Sequence, residues 1–509
     1  MQYGFLIDHR RCIGCHACTV ACKQENDVPL GSFRTWVKYV EKGTFPEIRR
    51  HFAVLRCNHC TTAPCVTICP VNALEKRKDG IVDVDRDVCI GCRACMQACP
   101  YDAIYLNEDH GCVEKCHYCA HRIEKGLEPA CVVVCPEQAI VSGDLHDPNS
   151  RIAKLVVEHP TLRRRVEQNT GPNVHYLGAE PLALEPGAIE RPPTYLWSER
   201  PPGKDEPWPS TLPLVPHAQV TLDVGHKVEW GGGVAAYLVT KGIAAGAALL
   251  APFAVALRLP KSVAWWVPEA AALLFTVITT ILLVEDLKRP RLFLTLLTRP
   301  NWRSWLVKGA WILIVFSISV SATLLAAILA RTTSLPPPLD LVSWERLVPP
   351  LRCVNAALAL GVAGYTAFLF QQCEGRDLWQ SKLLLPHLLV QAAMCGAAVM
   401  LPFVSAHEAR MPLQFVLLAS AGIHLLLALA ERWKRHGTAN ARQAAAFLGD
   451  VKLGRLRAFQ AGILLLGLLL VPAAAGPAAT LFLVPLLAFA GLYLYEWAYV
   501  RAGQLPPLS

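Results

Sequence analysis

The hydrophobic residues change their pattern near Trp230. Before it, apolar residues come in short runs broken by cysteine, proline and charge. After it they come in long runs separated by short basic loops. A helix needs roughly 20 mostly apolar residues to cross a bilayer, and eight runs qualify: about 231–257, 264–284, 304–330, 350–373, 383–403, 411–430, 457–473 and 477–500. The seventh is the weakest, because Pro472 and Gly476 crowd its end. Trp230, Trp265, Trp266, Trp305, Trp379 and Trp497 stand near run ends, where an interfacial belt would place them. A soluble core does not hold eight such runs. Ahead of them, a helical stretch is expected around Ile152–Glu167. Eight prolines between Arg191 and His217 then predict an extended, semi-rigid connector. The expected division is a cysteine-bearing domain over 1–185, a Pro-rich linker over 186–229, and an all-α membrane bundle over 230–509.

Composition sharpens this division. Hydrophobic residues make up 53% of the sequence and charged residues 17%, against about 25% charged in ordinary soluble domains. The net charge of +9 suits basic loops at a membrane surface better than nucleic-acid binding. With eight spans, both ends of the bundle lie on one side. Lys288, Arg289, Arg291, Arg299, Arg303, Arg376, Lys382, Arg432, Lys434, Arg435, Arg442, Lys452, Arg455, Arg457 and Arg501 fall on the side of the N-terminal domain. Only Arg258, Lys261, Arg331, Arg346, Arg352 and Arg410 fall opposite. The positive-inside rule therefore predicts an integral inner-membrane protein whose cysteine domain faces the cytoplasm. The opening MQYGFLIDHRRC has no apolar segment of the signal-peptide kind.

Seventeen of the 20 cysteines precede position 136. Sixteen fall in four groups: Cys12, Cys15, Cys18, Cys22; Cys57, Cys60, Cys65, Cys69; Cys89, Cys92, Cys95, Cys99; and Cys116, Cys119, Cys131, Cys135. The last three groups each end in Cys-Pro. Three thiolates on one tight loop reach three irons of one cubane, and the fourth, on the following helix, points to the partner cluster. Sixteen cysteines thus make four [4Fe–4S] sites with none left over. Structural zinc would want isolated CxxC pairs, and a disulfide framework would want an oxidising compartment. Cys112 is extra to the pattern and reads as a buried spare thiol.

With these motifs, the stretch Lys115–Cys131 and the closing Gly171–Leu177, the front of the chain resembles the four-cluster iron–sulfur subunits of the molybdopterin oxidoreductase superfamily. These serve dimethyl sulfoxide, polysulfide and nitrate reductases and formate dehydrogenases. The resemblance covers roughly 1–180. It implies an α+β double ferredoxin-like domain in which motif one pairs with motif four and motif two with motif three. The implied ligand sets are Cys12, Cys15, Cys18 with Cys135; Cys116, Cys119, Cys131 with Cys22; Cys57, Cys60, Cys65 with Cys99; and Cys89, Cys92, Cys95 with Cys69. Some relatives lack one motif-three cysteine and hold a three-iron cluster; Cys92 is present here, so four irons are expected.

In the membrane half, Tyr237, Tyr365, His387 and His424 fall at one depth on the domain side of four different helices, with Gln371, Gln372 and Asp286 nearer the surface. Polar groups inside spans are expensive and usually functional, and tyrosine and histidine both hydrogen-bond and move protons. Tyrosines near a helix end also serve as interfacial anchors, and the histidines also fit bonds to neighbouring helices. Glu269, near the opposite face, suits a proton route or an interfacial cap equally. The stretches Ala235–Gly246, Glu285–Phe293, Tyr365–Phe370 and Arg376–Trp379 resemble the eight-helix, polysulfide-reductase type of quinone-binding anchor, usually a separate chain. That resemblance implies a menaquinone or ubiquinone site and no haem. The competing reading makes His387 and His424 axial ligands of a b-type haem.

No flavin or nicotinamide fingerprint follows a strand, so the soluble substrate's catalytic site is expected on another chain. The expected role is an electron conduit between a molybdopterin-type catalytic subunit and the membrane quinone pool. The alternatives are a quinone link for nickel–iron hydrogenase large and small subunits, or part of a proton-translocating respiratory assembly.

Overall fold

The structure is a computed structural model that describes residues 1–185, 189, 217–225, 227–331, 343–404, 407–448, 457–468 and 480–509. The cysteine domain is built on short strands and single-turn helices. A four-stranded sheet runs β8 (Ile140–Asp144), β1 (Tyr3–Asp8), β10 (Val174–Leu177), β9 (Thr161–Leu162), with β1 parallel to β10 and antiparallel to β8. The first strand of the domain therefore pairs with two of its last, so motifs one and four lie together and enclose the middle of the chain. Two hairpins carry the inner motifs: β4 (Leu74–Lys76) with β5 (Val82–Val84), and β6 (Ile104–Asn107) with β7 (Cys112–Lys115). Cys112 stands in β7 and is buried.

A three-stranded sheet reaches into the stretch expected as linker. β2 (Thr35–Lys42) and β3 (Arg49–Arg56) form a hairpin, and β11 (Ala218–Leu222) adds to its free edge, with Ala218 opposite Lys42. The stretch expected as linker thus ends in a strand of the iron–sulfur domain. Its proline-rich portion, 190–216, lies outside the described residues.

Seven helices are long and apolar enough to cross a membrane among the described residues. They are Gly232–Phe253, Lys261–Glu285, Trp305–Leu329, Trp344–Gln372, Leu384–Phe403, Arg410–Trp433 and Leu483–Gln504. The expected span at 457–473 begins as the helix Arg457–Leu468; residues 469–473 lie outside the described residues. Small residues let these helices approach closely, as in other membrane bundles. A Cβ on Gly246 would sit 1.9 Å from Ala392 O, and one on Gly396 2.3 Å from Gly246 O. The first and fifth helices cross there, backbone to backbone. Gly462 and Gly491 do the same between Arg457–Leu468 and the last helix, with a Cβ on Gly462 at 2.7 Å from Gly491 O.

The two halves are joined by polar contacts aimed at backbone. Asn301 Nδ2 donates to the carbonyls of Cys69 (2.8 Å), Val66 and Thr67, and its own N–H donates to Pro70 O. Ser304, which caps the third membrane helix, donates to Ile68 O at 2.7 Å. Arg93 pairs with Asp286 at 2.7 Å and donates to the carbonyls of Asp286 and Glu229. Arg376 Nε donates to Gln97 Oε1, whose amide nitrogen donates to Gln504 Oε1. The ends of motifs two and three therefore sit on the membrane half.

Candidate functional site

The cysteine loops close because certain positions take left-handed backbone. Gly14 and Gly91 have φ of +71° and +69°, and His16 and Arg93, just ahead of the short helices, both have φ of 60°. A side chain at Gly14 would collide with the Phe52 ring at 2.4 Å, and one at Gly91 with Gly111 O at 2.5 Å. These turns point successive thiols inward. The result is one cavity lined by Cys12, Cys15, Cys18 and Cys135, a second by Cys22, Cys116, Cys119 and Cys131, and a third by Cys57, Cys60, Cys65 and Cys99. Cys69, Cys89, Cys92 and Cys95 form the fourth group, within electrostatic reach of one another. None of these cysteines forms a disulfide.

The donor set suits iron–sulfur clusters. Thiols surround a cavity in each of the first three sets, as a cubane needs, and among the described residues no group of three or more His, Cys, Asp or Glu is placed to hold a single ion. N–H groups also point at sulfur: Arg56 Nη1 at Cys131 Sγ (3.2 Å), Ala139 N at Cys135 Sγ (3.3 Å), and Asn26 Nδ2 at Cys22 Sγ (3.6 Å). Such donors favour the thiolate over the thiol. Two buried cations stand among these sulfurs. Burial opposes the Lys115 ammonium, but Cys57, Cys65 and Cys116 hold it above its ordinary value. Burial likewise opposes Arg56, and Cys131, Cys116 and Cys18 raise it. His59, packed against the same core, is pushed well below its ordinary value, first by burial and then by Lys115.

The set Cys69, Cys89, Cys92 and Cys95 rests on the bundle. Trp230 Nε1 donates to Cys92 O at 3.4 Å, and Trp230 stacks on Trp379 and Phe370, which stack on each other with ring centroids 4.7 Å apart. In the set with Cys12, Cys18 and Cys135, Cys15 and the nearby Ile13 are exposed.

Beneath the aromatic layer lies a ring of buried polar groups. The ring centroids of His387 and His424 are 4.1 Å apart, and Tyr495 stacks on His387 and meets His424 edge-on. His387 Nε2 stands 4.0 Å from Glu496 Oε1. Tyr237 and Tyr365 are neighbours, and Tyr237 lies within electrostatic range of Glu496. Lys241 stands over the Tyr365 ring at 4.8 Å and donates to Thr366 Oγ1 (2.5 Å) and Ala363 O (3.1 Å). All four residues picked from sequence thus fall in one buried region. Among the described residues, both nitrogens of His424 and His387 Nε2 lack a hydrogen-bond partner, while the Gln391 amide faces the Glu496 carboxyl.

The other candidates have structural partners. Asp286 pairs with Arg93. Gln372 accepts from Trp305 N and donates to Arg303 O. Glu269 pairs with Arg352 at 2.6 Å, tying the second helix to the fourth at the far end. Lys241, Gln391, Tyr495 and Glu496 escaped the sequence reading, although a signal was there. Lys241 is the one charged residue in the first apolar run and Glu496 the one acid in the last. A charge at a helix centre costs about 3 kcal/mol on insertion scales, so each asks for a reason.

A family model described as polysulphide reductase, NrfD, matches residues 222–504, more than half of the sequence. The protein therefore belongs to the polysulphide reductase NrfD family. Within the front half of this NrfD protein, residues 48–145 match a 4Fe-4S dicluster domain. A tetrathionate reductase subunit of Salmonella typhimurium is 44% identical over 202 residues, covering 39% of this chain and 80% of that protein. A polysulfide reductase chain of Wolinella succinogenes is 39% identical over 176 residues, 34% of this chain and 92% of that protein. The arsenate respiratory reductase iron–sulfur subunit ArrB of a Shewanella species is 35% identical over 225 residues, 35% of this chain and 96% of that protein. This NrfD protein is therefore an iron–sulfur electron-transfer protein and an integral membrane protein in one polypeptide.

Proposed function

We propose that the chain passes electrons between a molybdopterin-type catalytic subunit and the membrane quinone pool through four [4Fe–4S] clusters. The observation that carries this reading is the seating of the Cys69, Cys89, Cys92 and Cys95 set on the aromatic layer above the polar ring. The cysteine sets would bind the clusters in the pairing given by the resemblance, and each cluster supplies one-electron transfer when bound. The exposure of Cys15 and Ile13 beside the first cysteine set supports docking of the catalytic subunit there. The names of the three relatives given above, each a part of a reductase, favour this partner over a hydrogenase. The bundle is read as eight spans, with Arg457–Leu468 the described part of the seventh.

In the polar ring, His387, His424 and Tyr365 would hydrogen-bond the oxygens of a quinone head group, with Tyr237 among its partners. Glu496 and Lys241 are placed to exchange protons with that ring of partners. The nitrogens of His424, without a partner among the described residues, support a polar occupant. The contact between His387 and His424 leaves no room for a flat macrocycle between them, which supports a haem-free site. The loop charges support placing the iron–sulfur domain on the cytoplasmic side.

The test is single-turnover reduction of the clusters by quinol in the purified protein, followed by electron paramagnetic resonance. Cluster reduction that is lost in His424→Ala while dithionite still reduces all clusters is the expected result. Reduction unchanged in His424→Ala, Glu496→Gln and Tyr365→Phe alike places quinone chemistry elsewhere. Protease cleavage within Arg191–His217 from outside intact spheroplasts would invert the proposed sidedness.

A further inference from the structure

Arg56 and Lys115 carry fixed charge into the interior of the cysteine domain. Arg56 is 0% exposed and Lys115 2%. Each is the last residue of a strand and stands directly ahead of the first cysteine of a motif: Arg56 closes β3 before Cys57, and Lys115 closes β7 before Cys116. A buried charge is costly unless it is paired, so each asks for a negative partner. Among the described residues neither forms an ion pair with a carboxylate. Arg56 directs Nη1 at Cys131 Sγ, 3.2 Å away, and its guanidinium lies over the Phe5 ring at 4.4 Å. Lys115 Nζ donates to two neutral carbonyls, Cys116 O at 2.8 Å and Val82 O.

Their places relative to the cysteine sets differ in a useful way. Arg56 lines the cavity of the second set, Cys22, Cys116, Cys119 and Cys131, and is also within electrostatic reach of Cys18 in the first. Lys115 lines the cavity of the third set, Cys57, Cys60, Cys65 and Cys99. Its electrostatic neighbours are Cys57, Cys65 and then Cys116 of the second set, ahead of Asp83. One cation thus stands where the first and second sets meet, and the other where the second and third meet. Other buried cations near the sulfurs are matched on the spot. Arg34 also lines the second cavity, but Glu114 pairs with it at 3.0 Å. Arg93, next to Cys92 of the fourth set, pairs with Asp286 at 2.7 Å. Arg56 and Lys115 keep their charge for the sulfur.

We propose that Arg56 and Lys115 set reduction potentials: Arg56 raises that of the cluster held by the second set, and Lys115 raises those of the second and third. The proposal rests on the four-cluster reading above. One-electron reduction adds a negative charge inside a ring of thiolates, and no bond forms or breaks. A fixed cation beside that ring favours the reduced form over the oxidised one, since net charge and hydrogen bonds to sulfur are what tune such potentials. Burial keeps the attraction strong, because neither water nor salt screens it.

The full-length, cluster-loaded protein is titrated potentiometrically and followed by electron paramagnetic resonance. The signal of the second set is identified by its loss in Cys131→Ser, and that of the third by its loss in Cys99→Ser. Arg56→Gln keeps a polar side chain but removes the charge. It is expected to make the second cluster at least about tenfold harder to reduce, about 59 mV for one electron, and to leave the fourth within about twofold, about 18 mV. Lys115→Gln is expected to shift the second and third clusters in the same direction. Arg56→Lys and Lys115→Arg, which keep the charge, are expected to restore at least half of each shift, and iron is expected to stay at about 16 per chain throughout. A shift below twofold in both Gln variants, equal shifts at all four clusters, charge-keeping variants displaced as far as the Gln variants, or iron lost from both Gln variants would each overturn the proposal. Where one Gln variant alone loses iron, the other decides. A wild-type protein without four cluster signals would instead fail the four-cluster reading itself.

Discussion

The cysteine cavities and the polar ring are both buried regions full of polar atoms, but they are held differently. Each cysteine cavity is made from one loop and one more thiol, and its shape is set by left-handed turns such as those at Gly14, His16, Gly91 and Arg93. Protein N–H groups from Arg56, Asn26 and Ala139 are already aimed at its sulfurs. The polar ring draws one or two side chains from each of five helices, from Tyr237 to Glu496. Its shape is set by close helix crossings such as Gly246 against Gly396. His424 has no hydrogen-bond partner among the described residues. A site prepared by backbone tolerates changes at a distance and fails when one ligand goes. A site prepared by packing fails when a remote crossing opens, and its empty hydrogen-bonding capacity suits a ligand that comes and goes.

The sharpest way to break this comparison is to count metal. Iron and acid-labile sulfide are expected at about 16 each per fully loaded protein. Cys131→Ser is expected to remove one cluster's signal while the helices still insert. A wild-type count near eight would mean that two of the four thiol sets are structural. Next in size, His424→Ala and Glu496→Gln are each expected to slow quinol-driven cluster reduction about 100-fold, the usual contribution of a positioned proton carrier. The dithionite-reduced spectrum should not change. A changed spectrum would show that the two sites are not separate.

Most of the front half was legible because its chemistry is local. The cysteine spacing and the fourth-cysteine rule, with the family pattern, point to the same four sets that the fold gathers. What was not legible there was β11: Ala218–Leu222 follows a proline-rich stretch, and nothing nearby in sequence says that it pairs with β2. In the back half, helix existence was legible from hydropathy. Tyr237, Tyr365, His387 and His424 were picked out by depth. Lys241 and Glu496 were not, because each looks like an isolated charge until helix packing brings the first and last helices together. Glu269 was ambiguous for the same reason, since its partner Arg352 lies on another helix.

A smaller effect tests the claim that packing holds the polar ring. Gly246→Ala places a methyl group 1.9 Å from Ala392 O, so the first and fifth helices must separate. Overpacking of this kind costs about 1–3 kcal/mol. The expected outcome is a lower unfolding temperature in detergent together with slower quinol-driven reduction, while the iron content stays at the wild-type value. Lost iron with unchanged quinol activity would reverse the roles assigned to packing and backbone.

The smallest effect concerns the seam. Asn301→Ala deletes donation to the carbonyls of Cys69, Val66 and Thr67 but keeps the backbone N–H to Pro70 O. The other seam contacts, Arg93 with Asp286 and Arg376 with Gln97, remain. Val66 O and Thr67 O are part-buried and can turn to water once the side chain is gone, while Cys69 O stays buried, so the net loss is about 1–3 kcal/mol. That is too little to detach a domain also held by an ion pair and a stacked aromatic layer. Quinol-driven reduction should therefore fall by no more than a few-fold, with Trp230 still against Cys92 O. A loss as large as that of His424→Ala would mean that the seam, and not the polar ring, limits electron transfer. The two halves would then have to be treated as one site, because the position of the last cluster would depend on a single amide.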